Sequence, residues 1–161
     1  MTDGHRIHRY LATCSWNGST AGGYATYSRS HQAVAPPARA GLVLSSDPAF
    51  RGEPDLLNPE QLLLLAASSC QLLSFLAVAA RARIDVVAYE DHAEATMPEA
   101  DRPVRITEIH LRPRITVRPP ASEPRVLALV DTAHRECFIA NSLTSAMTIT
   151  PIVDIVATSR G

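Results

Sequence analysis

The chain has 161 residues, is 46% hydrophobic, and sets 15 basic residues, every one an arginine, against 16 acidic ones for a formal charge of −1. That balance leaves no electrostatic footprint for nucleic acid or an anionic membrane, and the absence of lysine excludes Schiff-base chemistry. Three cysteines at wide, irregular spacing, behind an opening stretch Met1 to Tyr10 that has no apolar signal region, argue against a secreted disulfide scaffold and for a single domain, residues 1–161, in a reducing cytoplasm.

From His8 to about Leu44, Tyr, Thr, Val and Trp are broken by Asn17-Gly18 and Gly22-Gly23, which predicts short strands joined by turns. The run Ser45-Ser46-Asp47-Pro48-Ala49-Phe50-Arg51-Gly52-Glu53-Pro54 is too rich in Ser, Pro and Gly for regular structure. Asn58 then supplies an N-cap, Pro59 suits the first helical position, and Glu60 favours the positive end of the helix dipole. The helix is expected to run to about Arg83. Leu62 to Leu65, Leu72, Leu73, Phe75, Leu76 and Val78 leave it no polar face, which predicts burial on all sides. Its length would also cross a bilayer, but Ser68, Ser69, Cys70, Gln71 and Ser74 near its middle are easier to satisfy inside a protein than in lipid.

Beyond Ile84 the period changes to two. Ile109, Leu111, Ile115 and Val117 alternate with Glu108, His110, Arg112, Arg114, Thr116 and Arg118, a half-buried strand with a basic outer face that reads either as an anion site or as solvated charge. Residues 86–97 are expected beside it. A second helix is predicted from about Pro124 to Ile139, with Val126, Val130, Ala133 and Cys137 on its inner face. Thr148 to Val156, interrupted by Pro151, reads as an edge strand.

Two thiols thus fall on apolar helical faces. Plain burial explains many such cysteines, but Cys70 has Ser68, Ser69 and Gln71 around it and Cys137 follows His134 at H-x-x-C spacing. Zinc held by Cys70, Cys137 and His134 would lack a fourth ligand. A Cys-His hydrolase would use Cys70 with His134 as base. Peroxide chemistry needs a thiolate, a cation beside it and a means of removing sulfenic acid. Cys70 lies too deep in its helix to use the N-terminal dipole, so an arginine must supply the charge.

The stretch Leu57-Asn58-Pro59-Glu60-Gln61-Leu62-Leu63, then Ala66-Ala67-Ser68-Ser69-Cys70, and the later Ala133-His134-Arg135-Glu136-Cys137-Phe138-Ile139-Ala140-Asn141-Ser142-Leu143 resemble the OsmC/Ohr superfamily of osmotically induced and organic-hydroperoxide-resistance proteins. The loop from Ser45 to Gly52 is similar to one in its OsmC-like branch. The resemblance implies an α+β fold with antiparallel sheets, a long buried central helix and a second, cysteine-bearing helix, in an intertwined homodimer. It implies that Cys70 is the peroxidatic cysteine, Cys137 the resolving one and Glu60 the acid of the Asn-Pro-Glu motif. The activating arginine is assigned to Arg29, with Arg51 as second candidate. The implied substrate is an organic hydroperoxide and the reductant a dithiol such as a lipoyl group, with no cofactor, metal, nucleic acid or membrane. Two departures stand out: no Gly-rich turn surrounds Arg29, and Gln71 replaces the branch's histidine after the first cysteine. Glu60 and Cys70, ten residues apart, would be about 15 Å apart along a straight helix, so a shared site needs a broken helix or a second chain. The rival from another class is a non-catalytic protein of the same fold that binds an apolar ligand.

Overall fold

The computed structural model describes residues 6–156, and the chain divides at Leu62/Leu63 into two compact units. The first is an antiparallel sheet in the order β1 (Thr13–Ser15), β2 (His31–Val34), β3 (Leu42–Leu44), as the opening third predicts. Its long β1–β2 connection is organised by aromatic contacts rather than by strands. After β3, Asp47 shapes the loop: its carboxylate accepts the Ala49 N–H at 2.8 Å and its carbonyl accepts Phe50 and Gly52 at 2.8 and 3.0 Å. A Cβ on Gly52 would sit 1.6 Å from the Ser46 carbonyl oxygen. Gly52→Ala therefore has to displace backbone, and it is expected to cost about 1–3 kcal/mol, read as a lowered melting temperature.

Asn58 opens α1 (Pro59–Arg81) with a reciprocal cap. Its side chain accepts the Gln61 N–H at 2.8 Å, while Gln61 reaches back to the Asn58 N–H at 3.0 Å, which satisfies two donors that the helix itself leaves unpaired. The helix ends at Arg81, two residues short of the sequence expectation, with Arg83 left-handed at φ 57°.

The second unit contains the rest of α1, six strands and α2 (Glu123–Glu136). The strands are β4 (Val86–Asp91), β5 (Glu94–Thr96), β6 (Glu108–Leu111), β7 (Pro113–Val117), β8 (Ala146–Ile149) and β9 (Ile152–Ile155). They form sheets ordered β4-β7-β9 and β5-β6-β8. Both are mixed rather than antiparallel, because β8 runs parallel to β6 and β9 parallel to β7. The expected long strand from Glu108 to Arg118 is two strands, parted at Arg112, whose N–H donates to Asp91 Oδ1 at 2.7 Å. The alternation survives the break: Ile109, Leu111, Ile115 and Val117 are all buried. Its arginines are ion-paired, Arg112 to Glu94, Arg114 to Asp154 and Arg118 to Asp85, which favours the solvated-charge reading of that face over an anion site. Pro151 separates β8 from β9, and each lies at the edge of its sheet.

Within this unit Phe75, Val78 and Ala79 of α1 pack with Ile115, Val117, Val126, Val130 and Ala133. The expectation that α1 is buried on all sides fails in the single chain. Ala67, Gln71, Phe75, Val78 and Ala79 form its buried face, whereas Leu65 and Leu73 are 53% and 63% exposed. The reason is geometric: the sheets and α2 of one chain cover one stripe of a helix that is apolar all round.

Candidate active site: a thiol pair and an arginine pocket

Two polar residues in the middle of α1 make hydrogen bonds to neighbouring elements, although the Gln71 Oε1 is buried without a partner among the described residues. Ser68 donates to Asp91 at 2.5 Å and the fully buried Gln71 donates to the Val130 carbonyl of α2 at 3.3 Å. The Ser74 hydroxyl, one turn after Cys70, hydrogen-bonds its thiol. Gln71, at the position of the expected histidine, thus ties the two helices together.

Cys137 is the C-cap of α2 rather than a residue of its last turn, and it is fully buried, as the inner-face reading expects. The helix stops three residues earlier than predicted because Cys137 is extended, with ψ 112°. The chain then turns so that consecutive N–H groups point at sulfur: Ile139 donates to Cys70 Sγ and Ala140 to Cys137 Sγ, both at 3.5 Å. The two thiols also perturb each other's ionisation, and both are free. Sequence reasoning found the cysteines but missed these donors, since backbone N–H groups carry no signature beyond the helix stop.

The same environment moves the two sulfurs in opposite directions. Burial raises the Cys70 thiol, but the N–H of Ile139, the Cys137 S–H, the N–H of Phe138 and the Ser74 hydroxyl outweigh it, so Cys70 ionises below its ordinary value. Burial pushes Cys137 up to about 11, helped by its donation to Cys70 and by the neighbouring charge there. One thiol is set up as nucleophile and the other as proton-bearing partner. His134 is not among the groups that bond either sulfur, and its Nδ1 is buried without a partner among the described residues. That leaves the hydrolase reading without a base at Cys70. The described residues contain no cluster of three or more His, Cys, Asp or Glu side chains that could hold a metal.

Arg29 and Glu60 lie in the first unit, where both line a pocket of about 370 Å³ with Trp16, Tyr27, Phe50 and Asp47. They make no ion pair with each other among the described residues. Arg29 donates instead to the carbonyls of Tyr27 and Tyr24, each at 2.5 Å, and its Cζ lies 4.6 Å and 4.1 Å from the Tyr24 and Tyr27 ring centroids. Arg51, the second candidate, is the left-handed residue that ends the short 3-10 turn Pro48–Phe50, and it does not line the pocket. Of the two tyrosines, the sequence singles out only Tyr24, with Trp16, and as a packing residue. Their spacing in Tyr24-x-x-Tyr27-x-Arg29 was the signal available for this clamp.

The family model described as OsmC-like protein matches residues 52–151. No curated protein matches the sequence. Among solved structures, an OsmC-like protein of unknown function from Vibrio cholerae superposes with TM-score 0.81 at 24% identity, over 91% of this chain and 100% of that one. An organic hydroperoxide resistance protein from Elizabethkingia anophelis gives 0.70 at 17% identity over 94% and 99%. One from Legionella pneumophila gives 0.67 at 18% over 92% and 98%. At these identities the structures establish the fold alone, and with the family match they lead to one conclusion: the chain belongs to the OsmC-like family.

Proposed function

We propose that the protein is a cytoplasmic thiol peroxidase that reduces organic hydroperoxides to alcohols. The observation that carries this reading is the pair of thiols gathered at one turn, where the consecutive N–H groups of Ile139 and Ala140 meet Cys70 Sγ and Cys137 Sγ at 3.5 Å each, an environment that lowers Cys70 and raises Cys137. The Cys70 thiolate attacks the distal oxygen of ROOH; the O–O bond breaks, and the departing alkoxide takes a proton to leave as alcohol. Cys70 is left as sulfenic acid. Cys137 attacks that sulfur, its proton joins the departing hydroxide as water, and a Cys70–Cys137 disulfide closes. A dithiol such as a lipoyl group then returns both sulfurs to thiols.

Arg29 is the cation for the thiolate and the developing alkoxide, and Glu60, which lines the same pocket without pairing with it, is the carboxylate of the site. Because α1 is unbroken from Pro59 to Arg81, Glu60 and Cys70 of one chain are held about 15 Å apart. Arg29 and Glu60 therefore serve the thiols of a second copy, in an intertwined homodimer with two composite sites. The same dimer covers the apolar face that one chain leaves open. That face, rather than lipid, accounts for a helix long and apolar enough to span a membrane, with 28% of an 18-residue apolar window of it buried.

The test is intact mass with peptide mapping after one equivalent of cumene hydroperoxide. The expected result is a loss of about two mass units, localised to a Cys70–Cys137 bridge; an unchanged mass overturns the reading. The aromatic pocket of the first unit favours one other reading, a non-catalytic protein that binds an apolar ligand there. An unchanged mass together with saturable binding of an aromatic ligand supports that one.

A further inference from the structure

The β1–β2 connection carries three aromatic rings that contact each other at right angles. Trp16 meets Tyr27 at 6.0 Å and 80°, and Tyr27 meets Tyr24 at 6.2 Å and 81°. The Trp16 indole is fixed by donating its N–H to the Ser28 carbonyl at 2.8 Å. It also lies over Gly18, where a Cβ would come within 2.5 Å of the ring. Tyr24 in turn reaches the Phe50 carbonyl at 3.5 Å. The rings thus form a braced corner, anchored at both ends.

The Arg29 guanidinium occupies that corner, over the faces of both tyrosines, and the carbonyls of the same two residues accept hydrogen bonds from Nη1 and Nη2. A ring face attracts the cation without consuming an N–H. Of the five guanidinium donors, Nε–H and one hydrogen on each Nη remain for an anion. Burial does not explain the arrangement, since Tyr24 is 59% exposed. A long side chain that would otherwise sample many rotamers is held in one place at the wall of an apolar pocket.

We propose that Tyr24 and Tyr27 are positioning residues whose rings hold the Arg29 guanidinium ready to meet a thiolate and a peroxide oxygen. This rests on the reading of Arg29 as the activating cation. The clamp replaces the Gly-rich turn that the sequence lacks around this arginine: ring stacking fixes the cation where backbone geometry would otherwise have to.

The experiment compares wild type with Tyr24→Leu/Tyr27→Leu and Tyr24→Phe/Tyr27→Phe in the full chain, following Cys70 oxidation by cumene hydroperoxide across pH. The leucine pair is expected to react about tenfold more slowly at neutral pH, through loss of two cation–ring contacts. Its pH midpoint should move up by as much as about one unit. The phenylalanine pair, which restores the rings, should restore both. Wild-type rate and midpoint in the leucine pair overturn the proposal, as does a phenylalanine pair that fails equally. A second readout is independent of activity and of severe unfolding: the guanidinium rotation rate of Arg29 by NMR in wild type and in Tyr24→Leu alone. Slow rotation freed by the substitution supports the clamp, and fast rotation in wild type overturns it. If wild-type Cys70 does not react with hydroperoxide at all, the peroxidase reading fails and this rotation still decides the clamp.

Discussion

Cys70→Ser is expected to lower hydroperoxide consumption by at least about a thousandfold, whereas Cys137→Ser is expected to complete a single oxidation and then stall with sulfenic acid on Cys70. The asymmetry follows from the two environments. Cys70 is partly exposed and receives hydrogen bonds from Ile139, Phe138, Ser74 and Cys137, all of which favour its anion. Cys137 is buried, and its own donation to Cys70 holds its proton in place. A group with a lowered value is ionised above it, and one raised to about 11 keeps its proton until that pH. At any given pH the thiolate fraction is therefore larger on Cys70 than on Cys137. Limited alkylation with iodoacetamide at pH 7 should therefore label Cys70 first and leave Cys137 unlabelled. Replacing Cys137 removes one donor to the nucleophile but none of the other three, so the first oxidation persists while resolution is lost. Equal labelling of both sulfurs, or peroxide consumption by Cys70→Ser, would remove the basis for these roles.

The thiols were legible because their chemistry depends on residue types at fixed places along two apolar helices. Cys137 falls on the inner face set by Val126, Val130 and Ala133, and the start of α1 was readable in Asn58, Pro59 and Glu60, though not the reciprocal bond from Gln61. What could not be read is what depends on backbone direction. The donors at Ile139 and Ala140 exist because α2 stops at Glu136, three residues before its helical pattern suggested. The parallel pairing of β8 and β9 is likewise invisible to a period-two pattern, which is the same in either orientation. The split at Arg112 escaped notice for the related reason that side-chain alternation continues across it. The exposed leucines of α1 show the reverse case. The sequence correctly indicated a helix with no polar side, and one chain covers only the stripe from Ala67 to Ala79.

If the proposed dimer and peroxidase activity hold, Leu73→Glu is expected to give a monomer at micromolar concentration and to remove the activity with it. Leu73 is 63% exposed in the single chain, so a carboxylate there is solvated in the monomer and leaves its fold intact. At an interface between two copies the same charge is stripped of water without a partner, and a two-fold axis introduces it twice. A penalty of about 3 kcal/mol or more raises the dissociation constant over a hundredfold, which sedimentation would detect. The activity arm bears on the composite site. Along the unbroken α1, Glu60 is held about 15 Å from the Cys70 of its own chain, so under the proposed composite site a folded monomer should retain the thiol pair and lose the carboxylate and guanidinium proposed to serve it. Such a monomer should keep preferential alkylation of Cys70, which depends on hydrogen bonds from within its own unit, and lose rapid reaction with hydroperoxide. A monomer that still reduces peroxide at the wild-type rate would mean that Arg29 and Glu60 have no part in the reaction, and the cation would then have to be sought among the arginines of the second unit.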